Sequence, residues 1–330
     1  MSIQSSELLW RNAALTSDTT PAQNGGRMGS GVMTDNAANN LFPNVTQAQR
    51  EAGLVTLRKD FLHVASAEDA TLSSVRIYID AQTAAADWIT FSPGSQTDTA
   101  ATHVAVDTFG SGKLHTSTTS GATALSITPE NIAAYTALQP FKAGYLVRIS
   151  DAPYSTDAAP TSYATITDAV YAADRINLTV TPALSADHAV GTHVAAVYQS
   201  ADIAASATTP AVISTAGLCS AVKAHNKGSI EQIFTLTFTS ATDFSVSGDT
   251  LGAFAIGTTT STTAPVNPAT SSAYFTLEST AFSGTFAPGD TVSFTTHPAA
   301  VPLWWRREVP ANSASLAGNV LSRAVTGESA

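Results

Sequence analysis

Side chains able to do chemistry are thinly spread along this 330-residue chain. The seven histidines are His63, His103, His115, His188, His193, His225 and His297. His188 and His193 flank an expected turn beside Asp187, a grouping that could hold a metal in principle. A zinc site needs three or four ligands at fixed spacing, and neither a helical His-x-x-x-His pair nor a third ligand nearby is present. The pair is read as bracing the turn. Ser-His-acid hydrolysis needs three residues in one pocket, and the many serines make chance groupings common; no Gly-x-Ser-x-Gly elbow singles one out. Asp and Glu are sparse and scattered, mostly at turns, which argues against the paired carboxylates of a glycosidase. Gly110-Ser111-Gly112-Lys113 lacks the upstream glycine and the following hydroxyl of a phosphate-binding loop, and reads as a linker. The expectation is therefore no enzyme, with no catalytic residue, metal ligand or cofactor.

A different stretch draws attention, Val301-Pro302-Leu303-Trp304-Trp305-Arg306-Arg307-Glu308-Val309-Pro310. It holds two of the four tryptophans, a large apolar area in a chain with 8% aromatic residues. Neighbouring side chains of a strand point to opposite faces, so Trp304 and Trp305 cannot share one core. One is expected inside, the other in a second layer, a domain junction or a subunit contact. For Arg306 and Arg307 the choice lies between a bidentate pair with a neighbouring subunit's carboxylate and pairing inside the chain, near Asp60 or Glu308.

Charged residues make up 12% of the chain, about half the usual share of roughly 25%. Ala, Thr and Ser replace them. Interface cores are depleted in charge, so such a surface suits a subunit covered by neighbours; a secreted β-protein with a neutral polar surface is the alternative. The net charge of −10 argues against nucleic-acid binding, which calls for a basic stripe. The single Cys219 leaves no intrachain disulfide and no cysteine-based zinc cluster. Met1–Ser6 lacks the basic and apolar regions of a signal peptide, and no run reaches the ~20 apolar residues of a membrane helix. A soluble protein made in the cytoplasm, without membrane insertion, is expected.

Period-two patterning places most of the elements. Residues 1–53 read as an extended N-terminal arm rich in Gly, Asn and Pro turns, anchored by Trp10, Leu41 and Phe42. It could lie along a neighbouring subunit or pack on its own domain. A short helix is expected over 46–53, stopped by Gly53. Strands are expected at 54–64, 71–80 and 88–91, and again at 232–239, 244–246, 274–277 and 291–294. Residues 54–110 and 226–323 are assigned to one discontinuous immunoglobulin-like β-sandwich. Between them, five short strands within 111–200 predict an inserted small β-barrel, followed by a linker over 201–225. The fold class expected is all-β.

With these residues in view, the chain resembles a family of structural proteins of tailed, Mu-like transposable phages and prophages. The resemblance rests on Gly25-Gly26-Arg27-Met28, Asn40-Leu41-Phe42-Pro43, Leu57-Arg58-Lys59-Asp60-Phe61 and the stretch from Gly228 to Phe238. It continues in Ser247-Gly248-Asp249-Thr250, Thr296–Pro302 and Trp305–Pro310. The middle looks like a small β module of phage tail proteins, matched by Gly144–Ile149 and by Asp187–Thr192, the latter departing at Asp187. The resemblance implies a virion component of the tail or baseplate, assembling as a homo-oligomer with other virion proteins. Trp10, Arg27, Leu41, Phe42, Trp304, Trp305, Arg306 and Arg307 are the expected interface residues. A receptor- or carbohydrate-binding module of the tail tip, marked by exposed aromatics in loops 154–163 and 257–274, and a capsid decoration protein are the alternatives.

Overall fold

The computed structural model describes residues 2–35, 37, 39–152 and 159–329. It is built almost wholly from antiparallel strands. A five-stranded sheet has the order Asn24–Val32, Leu8–Thr16, Leu54–Val64, Ala300–Val309, Trp88–Pro93. Its centre is the long pairing of Leu54–Val64 with Ala300–Val309, in register from Leu54↔Val309 to His63↔Ala300. Alternation sorts the side chains: Leu62, Val64, Leu303 and Trp305 enter the main core, while Phe61 and Ala300 join Ala13 on the other face.

Six strands close the β-barrel: Ser111–Leu114, Ala124–Pro129, Leu146–Ser150, Thr161–Tyr171, Ile176–Thr181 and His193–Gln199. Closure comes from the last strand, which pairs with Ser111–Leu114 on one side and Leu146–Ser150 on the other. Closing the sheet removes its free edges. Leu72–Ala81 extends the closing strand at Tyr198↔Ile77 and is itself paired to Ser322–Ser329. Val75, Ile77 and Ile79 of that strand share one apolar core with Leu62, Trp305 and the barrel interior. The helix Ile132–Leu138, capped by Asn131, adds the fully buried Tyr135, whose hydroxyl donates to the Ser111 carbonyl at 2.9 Å.

Residues 206–297 pack around a second core. Gln232–Phe238 is flanked by Asp243–Gly248 and Thr291–His297; Gly252–Thr258 lies outside the former, and Ser206–Ala207 and Ala211–Ile213 pair with the latter. Phe234, Phe238, Phe244, Phe275, Phe286 and Phe294 fill this core.

Three expectations change. Residues 8–32 are not an extended arm: Leu8–Thr16 pairs with Leu54–Val64 from Leu8↔Val64 to Asn12↔Asp60, the packing on its own domain that the sequence left open. The strands of 232–297 pair with one another and with 206–213, whereas Ala300–Val309 and Ser322–Ser329 join the sheets of 54–93. Residues 206–224 thus contribute short strands rather than a bare linker. The physical reason is the phenylalanine content of 234–294, sufficient to make a core without the earlier strands. The helix falls at Gln47–Ala52, with Thr46 capping it and Gly53 ending it at φ +81.

Candidate functional site

The two tryptophans do point to opposite faces, and both are buried within the chain, at 1% and 0% exposure. Trp305 faces the main core beside Phe91, ring centroids 4.9 Å apart, and Trp10, 6.3 Å away edge-on. Its Nε1 donates to Asp60 Oδ1 at 2.7 Å. Asp60 also accepts from Arg323, whose guanidinium lies 3.6 Å from the Trp10 ring centroid. One buried carboxylate thereby ties together strands that are far apart in sequence. Trp10 is thus engaged inside the chain.

On the other face, Trp304 is covered by the segment 94–103. Its Nε1 donates to Asp98 Oδ2 at 2.8 Å, and the His103 ring stacks on it at 5.0 Å. A Cβ on Gly25 or Gly94 would come within 2.6 or 2.8 Å of the indole, so both positions require glycine. Lys59 reaches the same carboxylate at 2.7 Å and donates to the Gly26 carbonyl at 2.6 Å. Burial pushes the Asp98 carboxyl up; hydrogen bonds from His103 and Lys59, the Lys59 charge and Trp304 outweigh it and hold it well below the usual carboxylate range.

His103 Nε2 lies 2.9 Å from Ser92 Oγ and its Nδ1 lies 3.1 Å from Asp98. The order of groups is that of a Ser-His-Asp relay. Three features make it a brace instead. Ser92 is 6% exposed; Asp98 is already shared by Lys59 and Trp304; and the next residue, Pro93, has no N–H to offer an oxyanion. A second line, Thr276–His225–Asp69, with contacts of 2.7 and 3.0 Å, ends on Lys223 at 2.9 Å.

The remaining sequence-derived residues are all engaged internally. Arg306 pairs with Glu308, two residues along its own strand. Arg307 donates to the Pro43 carbonyl at 3.0 Å and lies 4.7 Å from the Phe42 ring centroid. Leu41 and Phe42 pack partly buried against the main core. Arg27 meets Asp249 at 2.5 Å and also donates to Thr250 and Gln232, joining the five-stranded sheet to the sheet of 206–297. The same junction contains His63 Nε2 at 2.7 Å from the Asn226 carbonyl, with Arg11 Nε donating to its Nδ1 at 2.9 Å. Asn226 is further held by Asp69, Ala70 and Ala205.

His188 sits 2.8 Å from Ser162 Oγ and Asp187 accepts from the Ser120 N–H, so both bind segments outside the turn between His188 and His193. Among the described residues no cluster of three or more His, Cys, Asp or Glu could hold a metal. Ser111, Gly112 and Lys113 of the Gly110–Lys113 segment belong to the barrel strand Ser111–Leu114. Cys219 is buried, and burial pushes its thiol up to about 11. In the loop 257–274 the aromatic side chain is Tyr274, which is buried; residues 153–158 of the other candidate loop lie outside the described residues. No helix among the described residues is long and apolar enough to cross a membrane. Sequence reasoning missed Ser92, Asp98, His103, Asn226 and Arg323, because their roles depend on partners in distant segments.

The fold and site together define a β-rich chain with a closed six-stranded barrel and two buried, ion-braced tryptophans. No family model, curated protein or solved structure matches the chain.

Proposed function

We propose that the protein is a structural component of a phage particle, a tail or baseplate subunit that assembles with copies of itself and with other virion proteins. One observation carries the reading: the phrases behind the resemblance are joints of the fold. Gly25–Met28 meets Ser247–Thr250 through Arg27 and Asp249. Leu57–Phe61 pairs along Pro302–Arg306, and Asn40–Pro43 receives Arg307. Residues bound to one another in this way keep a shape, which is the requirement on an assembly subunit. In this reading the facing sheets of 54–93 and 300–329 are the immunoglobulin-like part of the chain. The low charge supports a surface covered by neighbours.

The test is the copy number of the protein in purified particles, measured by quantitative mass spectrometry against the major capsid and tail-tube proteins. A single ring's worth of copies is expected. Copies in proportion to capsid would make it a decoration protein, and absence from the particle overturns the structural role.

A further inference from the structure

The sheet of residues 206–297 has an outer face and an outer edge that the other described residues leave open. Across five strands the register lines up Ile256, Ser245, Thr237, Thr291 and Ile213 in one row. The next row is Ala253, Ser247, Thr235, Ser293 and Ala211. Inward-facing neighbours such as Phe234, Leu236, Phe244, Val246, Val292 and Phe294 are buried; the ten residues of the rows are partly or fully exposed. None of the ten is ionisable, in a chain of net charge −10. The acidic residues that bound the rows are engaged within the chain, Asp243 by Ser240 and Asp249 by Arg27.

The edge strand is Gly252–Thr258, reading Gly-Ala-Phe-Ala-Ile-Gly-Thr. It is the last strand of its sheet, and among the described residues no strand pairs its outer side. Native sheets guard such edges with lysine, proline, inward charge, a β-bulge or a covering element. This strand carries none of those side chains, and Ile256 is 85% exposed. A register shift between Val246 and Ser247 places Phe254 as an extra residue on it. That bulge serves the core, since the Phe254 ring lies 5.8 Å from Phe234 and 5.6 Å from Tyr274. Segment 261–265 flanks only the far end, forming a cleft with residues 255–258.

We infer that this edge is a self-association site: Gly252–Ile256 pairs antiparallel with the same strand of a second copy, making one continuous sheet across a two-fold axis. Antiparallel pairing of a strand with itself is isologous, so the same residues serve both partners. The charge pattern selects the occupant. Within the two rows a copy meets no charge, and at their end Asp249 is neutralised by Arg27, whereas two acidic surfaces brought together elsewhere would repel. The inference deepens the assembly role by naming one contact and one partner, yet the two can fail separately.

The experiment is sedimentation velocity of the purified full chain across micromolar concentrations, with Ile256→Lys and a control, Val170→Lys, at a barrel position 53% exposed. The wild type and the control are expected at twice the chain mass of 33.9 kDa, and Ile256→Lys at the monomer mass with an unchanged circular dichroism spectrum. Hydrogen exchange should show the amides of 252–256 protected in the wild type and at least tenfold faster in Ile256→Lys. A wild type that stays monomeric overturns the contact, as does an Ile256→Lys protein that stays dimeric with those amides protected. Neither result touches the copy number in particles, which judges the virion role by itself.

Discussion

Asp60, Lys59 and Arg148 are at most 3% exposed in the region built from residues 54–199 and 300–329, whereas among the described residues of 206–297 no Lys, Arg, Asp or Glu is buried. The first region holds its long-range strands with directional bonds: Asp60 to Trp305 and Arg323, Asp98 to Trp304 and Lys59. The second is held by rings, with Phe238 and Phe286 stacked 3.7 Å apart and Phe234 against four other aromatic side chains. Burial of apolar side chains is non-directional and tolerates adjustment, while a buried carboxylate accepts few arrangements. The contrast explains why the charged region can seat a strand brought from 245 residues away. The ring-filled region also joins distant segments, Ser206 to His297 and Gln232 to Thr296, and the two rows across the middle of its outer face carry no charge.

The comparison breaks first at Asp60. Asp60→Ala leaves the Trp305 N–H and the Arg323 charge without their buried partner, and is expected to cost about 3–5 kcal/mol in urea unfolding. Phe234→Ala, its counterpart in the ring core, is expected to cost about 3–5 kcal/mol by a different route, a cavity. Hydrogen exchange separates the two. Asp60→Ala should speed the amides of 54–64 and 300–309 and leave 232–238 protected, and Phe234→Ala should do the reverse. Equal loss in both regions from either variant would show that the cores unfold as one unit.

How much of this could be read from residues alone differs between the regions. Alternation from Gln232 to Thr239 marked that strand, because Phe234, Leu236 and Phe238 face one core and Ile233, Thr235 and Thr237 face out. Five of the six barrel strands were legible for the same reason. The sixth, Ser111–Leu114, was hidden by its glycine: Gly112 is there because a Cβ would meet Ile127 and the Thr128 carbonyl at 2.7 Å, not because the chain turns. The hairpin of 8–32 was missed because polar side chains such as Asn12 and Arg11, and the glycines of Asn24–Val32, interrupt the apolar alternation. Opposite faces for Trp304 and Trp305 followed from strand geometry alone. Asp98 and His103 could not be found that way, since nothing local marks a loop residue as the lid of an indole.

A smaller effect tests the junction between the regions. His63 is 1% exposed; burial and the Arg11 charge, against the Asn226 hydrogen bond, push it down to about 4. The folded form therefore binds fewer protons than the unfolded chain between roughly pH 4 and the unfolded value of about 6.5. Stability should be full above that upper value and fall as pH drops, with His63 alone contributing about 2 kcal/mol between pH 7 and 5. His193, pushed down to about 4 chiefly by burial in the barrel region, acts in the same direction. His63→Gln should flatten the slope of stability against pH by about half. An unchanged slope would assign the dependence to the barrel, not to the junction.

The smallest expected effect belongs to Arg27. Its pair with Asp249 is 26% and 32% exposed at the two side chains, so water and salt screen it, and a neighbouring set of bonds through Asn226 holds the same junction. Arg27→Ala is expected to cost about 0–1 kcal/mol at low ionic strength. That difference should vanish in molar salt, where the screening length falls to about 3 Å. A loss above about 2 kcal/mol that persists in salt would mean that Arg27 acts as the braces around Asp60 do. The division between a charge-braced region and a ring-packed one would then run through the sheet of 206–297 rather than along its border.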